Sequence, residues 1–162
     1  MSETRAAKTG KVGSAAKAVV PRAPALTREE VKAFLEREFP QLVDDIGGLT
    51  VEDSSADHAV MRLAVASRHL RPGGTVSGPT QFFLADVCAF VAVLVAVGPV
   101  ALAVTTSATI NFLKKPAPTD LIGTARILKR GKRLVVVDCT MHSEGDDEPV
   151  AHAVLTYALP QK

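Results

Sequence analysis

The chain has 162 residues, of which 47% are hydrophobic and 22% are charged, and its formal net charge is +2. This length and composition predict one soluble globular domain with a sizeable core. The small net charge and the 4% aromatic content, without any Trp, exclude the strongly basic or base-stacking surfaces typical of nucleic-acid-binding proteins.

The N-terminal segment is rich in Ala, Lys, Gly and Ser. It contains several basic residues and one acidic residue, Glu3. We therefore predict a disordered basic tail over residues 1–25 and a single folded domain over residues 26–162. A transit peptide is an alternative for the tail, although its amphipathic pattern is weak.

The domain is predicted to begin with a helix and two strands. Thr27 and Glu30 have the spacing of a capping box, and the helix that they open is expected to end before Pro40. Residues 42–51 and 58–65 then have the composition of strands, the second with apolar residues at every other position.

A long apolar helix follows. It is predicted to start near Pro79 and to end at Gly98, because Pro suits the first helical turn and Gly readily leaves the helical conformation. Apolar residues surround its whole circumference, so protein or lipid must cover it on nearly every side. A membrane span continuing through residues 100–104 is the alternative, and Asp86 within the segment argues against it.

Asp86 is the one carboxylate of this helix. A carboxylate that loses its hydration on burial is costly unless a partner or a water-filled pocket compensates, so such a residue is usually retained for chemistry. The structural alternative is that Asp86 pairs with Arg71 or caps a neighbouring segment.

Four more strands are predicted over residues 101–113, 120–128, 134–143 and 150–159. In the first, residues between Val104 and Phe112 alternate between two faces. The absence of βαβ alternation argues against a parallel sheet. We predict an α+β hotdog fold, a curved antiparallel sheet wrapped around one long central helix, and dimerisation that covers the exposed sheet edge.

Cys88 and Cys139 lack metal-site spacing, and we interpret them as buried thiols of a cytoplasmic protein. The histidines also lack ligand spacing and are expected to be structural. They are His58, His69, His142 and His152.

Residues 71–79, followed by Leu84, Ala85 and Asp86, resemble the active-site loop and helix of hotdog-fold acyl-CoA thioesterases of the phenylacetate-pathway (PaaI-like) type. Residues 111–116, 131–133 and 151–157 look like the last strands of that family. The positions that match the family's glycine and acid pattern are Gly74, Gly78, Leu84 and Asp86. Ser77 stands where the family often has His, Pro79 where it often has Gly, and Arg71 where it often has Asn or Gln.

The resemblance implies hydrolysis of a medium-chain or aromatic acyl-CoA to the free acid and coenzyme A. The backbone N–H of Gly78 would polarise the thioester carbonyl, with Ser77 beside it. Asp86, supplied in relatives by the partner subunit, would act as general base or as nucleophile. The alternative is a non-catalytic hotdog protein that binds acyl-CoA; a hydratase is disfavoured because such sites pair a His with the acid.

By the same resemblance, coenzyme A enters as part of the substrate, no cofactor or metal is expected, and the chain forms a homodimer or tetramer with active sites at the subunit interface. Basic residues near strand ends and turns can dock the coenzyme A phosphates, with Arg126 the first choice as it lies within a strand. The predicted substrate-binding residues are Arg71, Gly74, Phe82, Phe90, Asn111, Lys114, Arg126, Lys129 and Arg130.

Overall fold

The computed structural model describes residues 23–44 and 48–161. Most of the predicted tail therefore lies outside the described residues. At its end, the Ala25 N–H donates to the Val95 carbonyl oxygen at 2.7 Å, which attaches the start of the domain to the central helix.

Helix α1 spans Arg28–Glu38 and begins with the predicted capping box, in which Thr27 and Glu30 satisfy each other's backbone N–H groups. A short helix α2, Pro40–Asp44, follows. The prediction of a strand from residue 42 was therefore wrong, because Pro40 favours the first turn of a new helix.

The remaining strand predictions agree with the structure to within a few residues, and two short strands were not predicted. The strands are β1 Leu49–Ser54, β2 His58–Leu63, β3 Leu70–Arg71, β4 Thr75–Val76, β5 Val104–Phe112, β6 Leu121–Arg130, β7 Leu134–Ser143 and β8 Pro149–Ala158. The six long strands form one antiparallel sheet in the order β1-β2-β6-β7-β8-β5, and β3 pairs with β4 in a separate hairpin.

Helix α3 spans Gly78–Val97 and is the central helix. It is long and apolar enough to cross a membrane, yet 72% of its most apolar window is buried inside the protein. The concave face of the sheet covers it, with contacts from β2, β6, β7, β8 and β5. This arrangement confirms the predicted hotdog fold and explains why the helix is apolar on nearly all sides.

Gly123 of β6 shows how closely the sheet approaches this helix. A Cβ atom at this position would lie 3.3 Å from Leu84 Cγ, so a larger residue would push the helix away. The Cys88 thiol donates to the Gly123 carbonyl oxygen at 3.3 Å beside this contact.

Strand β5 is an edge strand, and most of its residues are exposed. A bulge between Thr105 and Ser107 breaks the pairing with β8, so the strict alternation predicted from Val104 to Phe112 is wrong. The opposite edge, β1, is partly covered by α1, from which Arg28 donates to the Glu52 carbonyl oxygen at 3.0 Å. The free edge of the sheet is therefore β5.

Candidate active site

The loop before α3 is a small hairpin that fixes the start of the helix. Gly73 and Gly74 turn the chain between β3 and β4 with φ values of +97° and +72°, which favour glycine. Beyond the hairpin, the Ser77 N–H donates to the His69 carbonyl oxygen at 2.9 Å, and the Thr80 hydroxyl donates to the same oxygen at 3.3 Å. The first turn of α3 is thereby held against the loop.

Ser77 is the N-cap of α3. Its Oγ accepts the Thr80 N–H at 3.3 Å and lies 2.8 Å from Thr80 Oγ1. Gly78 follows in the first turn, where a backbone N–H has no acceptor within the helix and lies at the positive end of the helix dipole. A Cβ at Gly78 would lie 3.3 Å from Cζ of Phe112, so the ring occupies the space that a side chain would need.

Gly78 borders a groove of about 410 Å³. Its walls come from the β3–β4 hairpin, from the first turn of α3 and from residues 112–116, which begin at the last residue of β5. Phe112 is 54% exposed and forms an apolar wall, whereas Arg71, Lys114 and Lys115 make the other walls positive. A groove with an apolar wall, several cations and a free backbone donor is suited to an anionic ligand that carries a carbonyl group.

Gln81 also lines this groove, one helical turn after Gly78. The residue is only 3% exposed. Its Nε2 donates to the Val76 carbonyl oxygen at a long 3.4 Å, and its buried Oε1 has no hydrogen-bond partner among the described residues. Leaving such an acceptor unpaired costs about 1 to 3 kcal/mol.

Asp86 lies two turns further along α3 and is half-buried. The Thr105 hydroxyl donates to its Oδ1 at 2.7 Å, and the Tyr157 hydroxyl donates to the same oxygen at 2.6 Å. The Tyr157 hydroxyl also lies 2.8 Å from the Asp86 backbone oxygen. Two hydroxyl donors therefore compensate for the partial loss of hydration.

Tyr157 is held in place for this interaction. Its ring stacks on Phe90 with centroids 6.1 Å apart, and the residue is only 3% exposed. Burial and the negative charge of Asp86 raise the pKa of the Tyr157 hydroxyl well above its usual range. The Tyr157 hydroxyl consequently stays protonated at physiological pH and remains a hydrogen-bond donor to Asp86.

Within one chain, Gly78 and Asp86 face different surroundings. Their separation of eight residues corresponds to about 12 Å along a helix axis, whereas a general base must reach the attacking water. Gly78 lies beside Phe112 at the end of β5, and Asp86 is bonded to Thr105 near its beginning. The two predicted catalytic positions therefore adjoin opposite ends of one edge strand.

The ion pair between Arg71 and Asp86, which was the structural alternative for Asp86, does not form within the described part of the chain. Arg71 instead donates through Nε to Thr75 Oγ1 at 3.0 Å, across the hairpin. Arg71 and Gly74 thus lie in the hairpin bordering the groove, with Gly74 N–H donating to the Arg71 carbonyl oxygen at 3.0 Å. Asp86 is held by hydroxyl groups and has no cationic partner among the residues that the structure describes.

Lys114 borders the groove but is already paired with acidic residues. Its Nζ lies 2.7 Å from Asp146 and 2.7 Å from Glu148, and these hydrogen bonds raise the pKa of Lys114. Lys115 beside it is exposed and makes no ion pair among the described residues. Lys115 and Arg71 are therefore the better-placed groove cations for a phosphate.

Four other predicted binding residues are not among those that line the groove. Arg126 is exposed on the convex face of β6, since its neighbour Ala125 faces the helix. Lys129 is near the end of β6, and Arg130 donates to the Ala96 carbonyl oxygen, about 27 Å along the helix from Gly78. Asn111 is an exposed residue of β5.

The two predicted aromatic residues differ in their surroundings. Phe90 is in the core, where it contacts Tyr157 and Phe39, whereas Phe82 is 40% exposed on the first half of α3. A second cavity, of about 520 Å³ between α1, β1 and Val87, contains none of the predicted site residues. Residues 23–44 and 48–161 contain no cluster of His, Cys, Asp or Glu that could hold a metal ion.

Sequence reasoning did not assign roles to Thr105, Tyr157 or Gln81. Tyr157 is the only tyrosine of the chain, and its inward-facing position in β8 was a possible signal. Thr105 lies at a bulge in a run of similar polar residues, so nothing in the local sequence singles it out as a partner of Asp86. The unpaired Oε1 of Gln81 results from three-dimensional packing, which the local sequence does not show.

The family model of the thioesterase superfamily matches residues 73–150, which include Gly78 and Asp86. A candidate thioesterase from Silicibacter sp. TM1040 is 44% identical, covers 85% of this chain and 94% of its own, and superposes with a TM-score of 0.78. No curated protein sequence matches this chain.

Two more distant structures share the fold. Thioesterase superfamily member 2 of zebrafish is 20% identical, with 83% of this chain and 99% of that chain covered and a TM-score of 0.72. A candidate thioesterase of Ralstonia eutropha JMP134, described as phenylacetic acid degradation-related, is 20% identical, with 78% and 98% covered and a TM-score of 0.68.

Proposed function

We propose, since this chain belongs to the thioesterase superfamily and is a thioester hydrolase, that its substrates are acyl-CoA thioesters with a medium-length or aromatic acyl group. The observation that carries the proposal is that the chain presents both a backbone N–H at Gly78 with no acceptor among the described residues and a carboxylate at Asp86 that accepts from two hydroxyl groups. These groups are the two that thioester hydrolysis requires, a donor for the carbonyl oxygen and a base or nucleophile.

In the proposed reaction, the Gly78 N–H donates to the thioester carbonyl oxygen and stabilises the negative charge that develops there. Thr105 and Tyr157 both donate to Asp86 Oδ1, which leaves Oδ2 as the oxygen with no donor among the described residues. Oδ2 then removes a proton from the attacking water, or itself attacks the carbonyl carbon. In the first route that proton passes to the departing sulfur, so coenzyme A leaves as the thiol and the acyl group as the free acid. In the second route coenzyme A leaves as the thiolate, and water then hydrolyses the acyl anhydride on Asp86 to the free acid.

The two groups meet, in our proposal, across a homodimer. Antiparallel pairing of two copies of β5, centred near Ala108 and Thr109, places the start of one strand opposite the end of the other. Asp86, at the start, then faces Gly78 of the second copy, near Phe112. This pairing also covers the free sheet edge.

The groove supports coenzyme A thioesters as the substrate class. Its volume of about 410 Å³ is within the usual range of ligand sites, and the Phe112 wall suits an apolar group. Arg71 and Lys115 provide positive charge for the phosphates. Coenzyme A enters as part of the substrate, and we propose that the enzyme needs no cofactor and acts in the cytoplasm as a dimer or a pair of dimers.

A complementation experiment tests the composite site. Asp86→Asn and Gly78→Val subunits are each expected to be inactive alone, because one lacks the carboxylate and the other blocks the groove. A heterodimer contains one intact site, with Gly78 from the first subunit and Asp86 from the second. After mixing and subunit exchange, each heterodimer should have roughly half of the wild-type activity, so an equal mixture, in which about half of the dimers are heterodimers, should recover about a quarter. No recovery in verified heterodimers would show that both groups act from one chain.

A substrate panel tests the chemistry. Purified protein is incubated with acetyl-CoA, medium-chain acyl-CoAs and aromatic acyl-CoAs, and the released coenzyme A is measured with a thiol reagent. We expect the highest kcat/KM for the medium-chain or aromatic members. Tight binding of acyl-CoA without release of coenzyme A would support a binding protein instead.

A further inference from the structure

We propose that Gln81 is a ligand-binding residue whose Oε1 accepts a hydrogen bond from the reacting complex in the groove, an inference that rests on the proposed function. The donor is a single O–H or N–H group, supplied either by the attacking water or by the amide of the pantetheine arm next to the thioester. This role extends the site beyond the carbonyl donor and the carboxylate.

The unpaired acceptor is the first observation behind this proposal. Gln81 is 97% buried, since only 3% of its surface is exposed, and its Oε1 has no partner in the described part of the chain. Its Nε2 is already directed to the Val76 carbonyl oxygen, so a flipped amide would place two oxygens against each other. The acceptor orientation of Oε1 is therefore the consistent one.

The position of Gln81 is the second observation. It lines the same groove as Gly78, one helical turn further along α3, and a turn rises about 5 Å. A thioester whose carbonyl oxygen meets the Gly78 N–H thus has its neighbouring atoms beside Gln81, whose Oε1 is shielded from solvent in the unliganded chain and becomes accessible when the ligand displaces the groups that cover it. Both candidate donors are neighbours of this kind, because the water attacks the carbonyl carbon and the amide is two methylene groups from the sulfur.

The chemistry of the other groove residues is the third observation. Arg71, Lys114 and Lys115 offer only donors. The Thr75 hydroxyl oxygen already accepts from Arg71 at 3.0 Å. Gln81 Oε1 is therefore the side-chain acceptor of the groove that has no donor at all among the described residues, whereas the Thr75 hydroxyl oxygen has one of its two lone pairs in use.

The test compares Gln81→Met, Gln81→Glu and the control Leu84→Met. Methionine keeps the length of the side chain and removes both polar groups; glutamate, charged or protonated, keeps an acceptor oxygen and loses the amide donor. Leu84→Met changes a fully buried residue of the same helix outside the groove. Thermal unfolding without ligand and steady-state kinetics well below the melting temperature are measured for all three.

We expect Gln81→Met to keep or raise the melting temperature, because it removes a buried acceptor that has no partner, and to lower kcat/KM about tenfold or more. Gln81→Glu should retain more activity than Gln81→Met, and Leu84→Met should remain near wild type. A lower kcat at unchanged KM would identify the water as the donor, whereas a higher KM would identify the amide.

Equal loss of activity in Gln81→Met and Gln81→Glu, together with lower melting temperatures, would assign Gln81 to the Nε2 contact with Val76 and overturn the proposal. Wild-type kinetics in Gln81→Met would overturn it as well. Failure of the proposed function is a separate result, since the wild-type protein itself would then release no coenzyme A from any acyl-CoA.

Discussion

The hydroxyl of Tyr157 donates a 2.6 Å hydrogen bond to the carboxylate of Asp86, joining strand β8 to the central helix at the proposed catalytic carboxylate. Thr105 donates to the same oxygen at 2.7 Å from the edge strand β5. The orientation of the carboxylate is thus set by two strands that are far from it in sequence.

Asp86→Asn should lower kcat by roughly 100-fold or more, the scale of losing a general base or nucleophile. The asparagine Oδ1 can still accept from Tyr157 and Thr105, so the fold should persist. Coenzyme A release and circular dichroism check the two parts. Near wild-type turnover in the folded variant would remove Asp86 from the mechanism.

Tyr157→Phe should retain the ring packing on Phe90 and lose only the hydroxyl. Because a hydrogen bond to a charged acceptor is lost, the free energy of unfolding should fall by about 1 to 3 kcal/mol. The carboxylate also loses one of its two positioning donors, so kcat should fall while KM changes little. Urea unfolding and steady-state kinetics measure both effects, and an unchanged kcat would limit Tyr157 to a structural role.

Thr109→Arg should separate the dimer and abolish hydrolysis, because two copies would bring like charges together along β5. Thr50→Arg is the matched control, since Thr50 is also an exposed threonine but belongs to the opposite edge strand β1. Light scattering and coenzyme A release should show an inactive monomer for the first variant and an active dimer for the second. Dissociation by Thr50→Arg alone would place the interface at β1.

Arg71→Gln should raise KM for acyl-CoA several-fold with little change in kcat, because the guanidinium lies in the groove wall and can bind a phosphate. Arg126→Gln removes the same charge from the convex face of the sheet and should leave KM unchanged. Kinetics at low and moderate salt compare the two variants. A higher KM in Arg126→Gln with an unchanged KM in Arg71→Gln would instead place the coenzyme A site on the convex face.

Cys88 and Cys139 should react slowly with a thiol reagent in the native protein at pH 8. Both thiols are buried, and the hydrogen bond with Cys88 together with burial raises the pKa of Cys139 well above its usual range. Both should react at once in denaturant. Rapid native reaction of either thiol would contradict this burial and would complicate the coenzyme A assay.

The elements that sequence predicted well depend on neighbouring residues. The capping box at Thr27 and Glu30, the start of α3 after Ser77 and its end at Gly98 are local interactions, and their residue types identify them directly. The period-two pattern of β2, with Ala59, Met61 and Leu63 inward, is equally local. Together with the glycine and acid spacing, these features were enough to predict the hotdog fold.

Tertiary structure decided which groups meet. Asp86 was visible as the only acid of an apolar helix, but its partners Thr105 and Tyr157 are 19 and 71 residues away in sequence. Lys114 looked like a free phosphate ligand until folding placed Asp146 and Glu148 beside it. Hydrogen bonds and ion pairs of this kind depend on strand register and on the path of loops. A sequence therefore indicates which side chains carry chemistry, whereas packing determines which of them remain available for it.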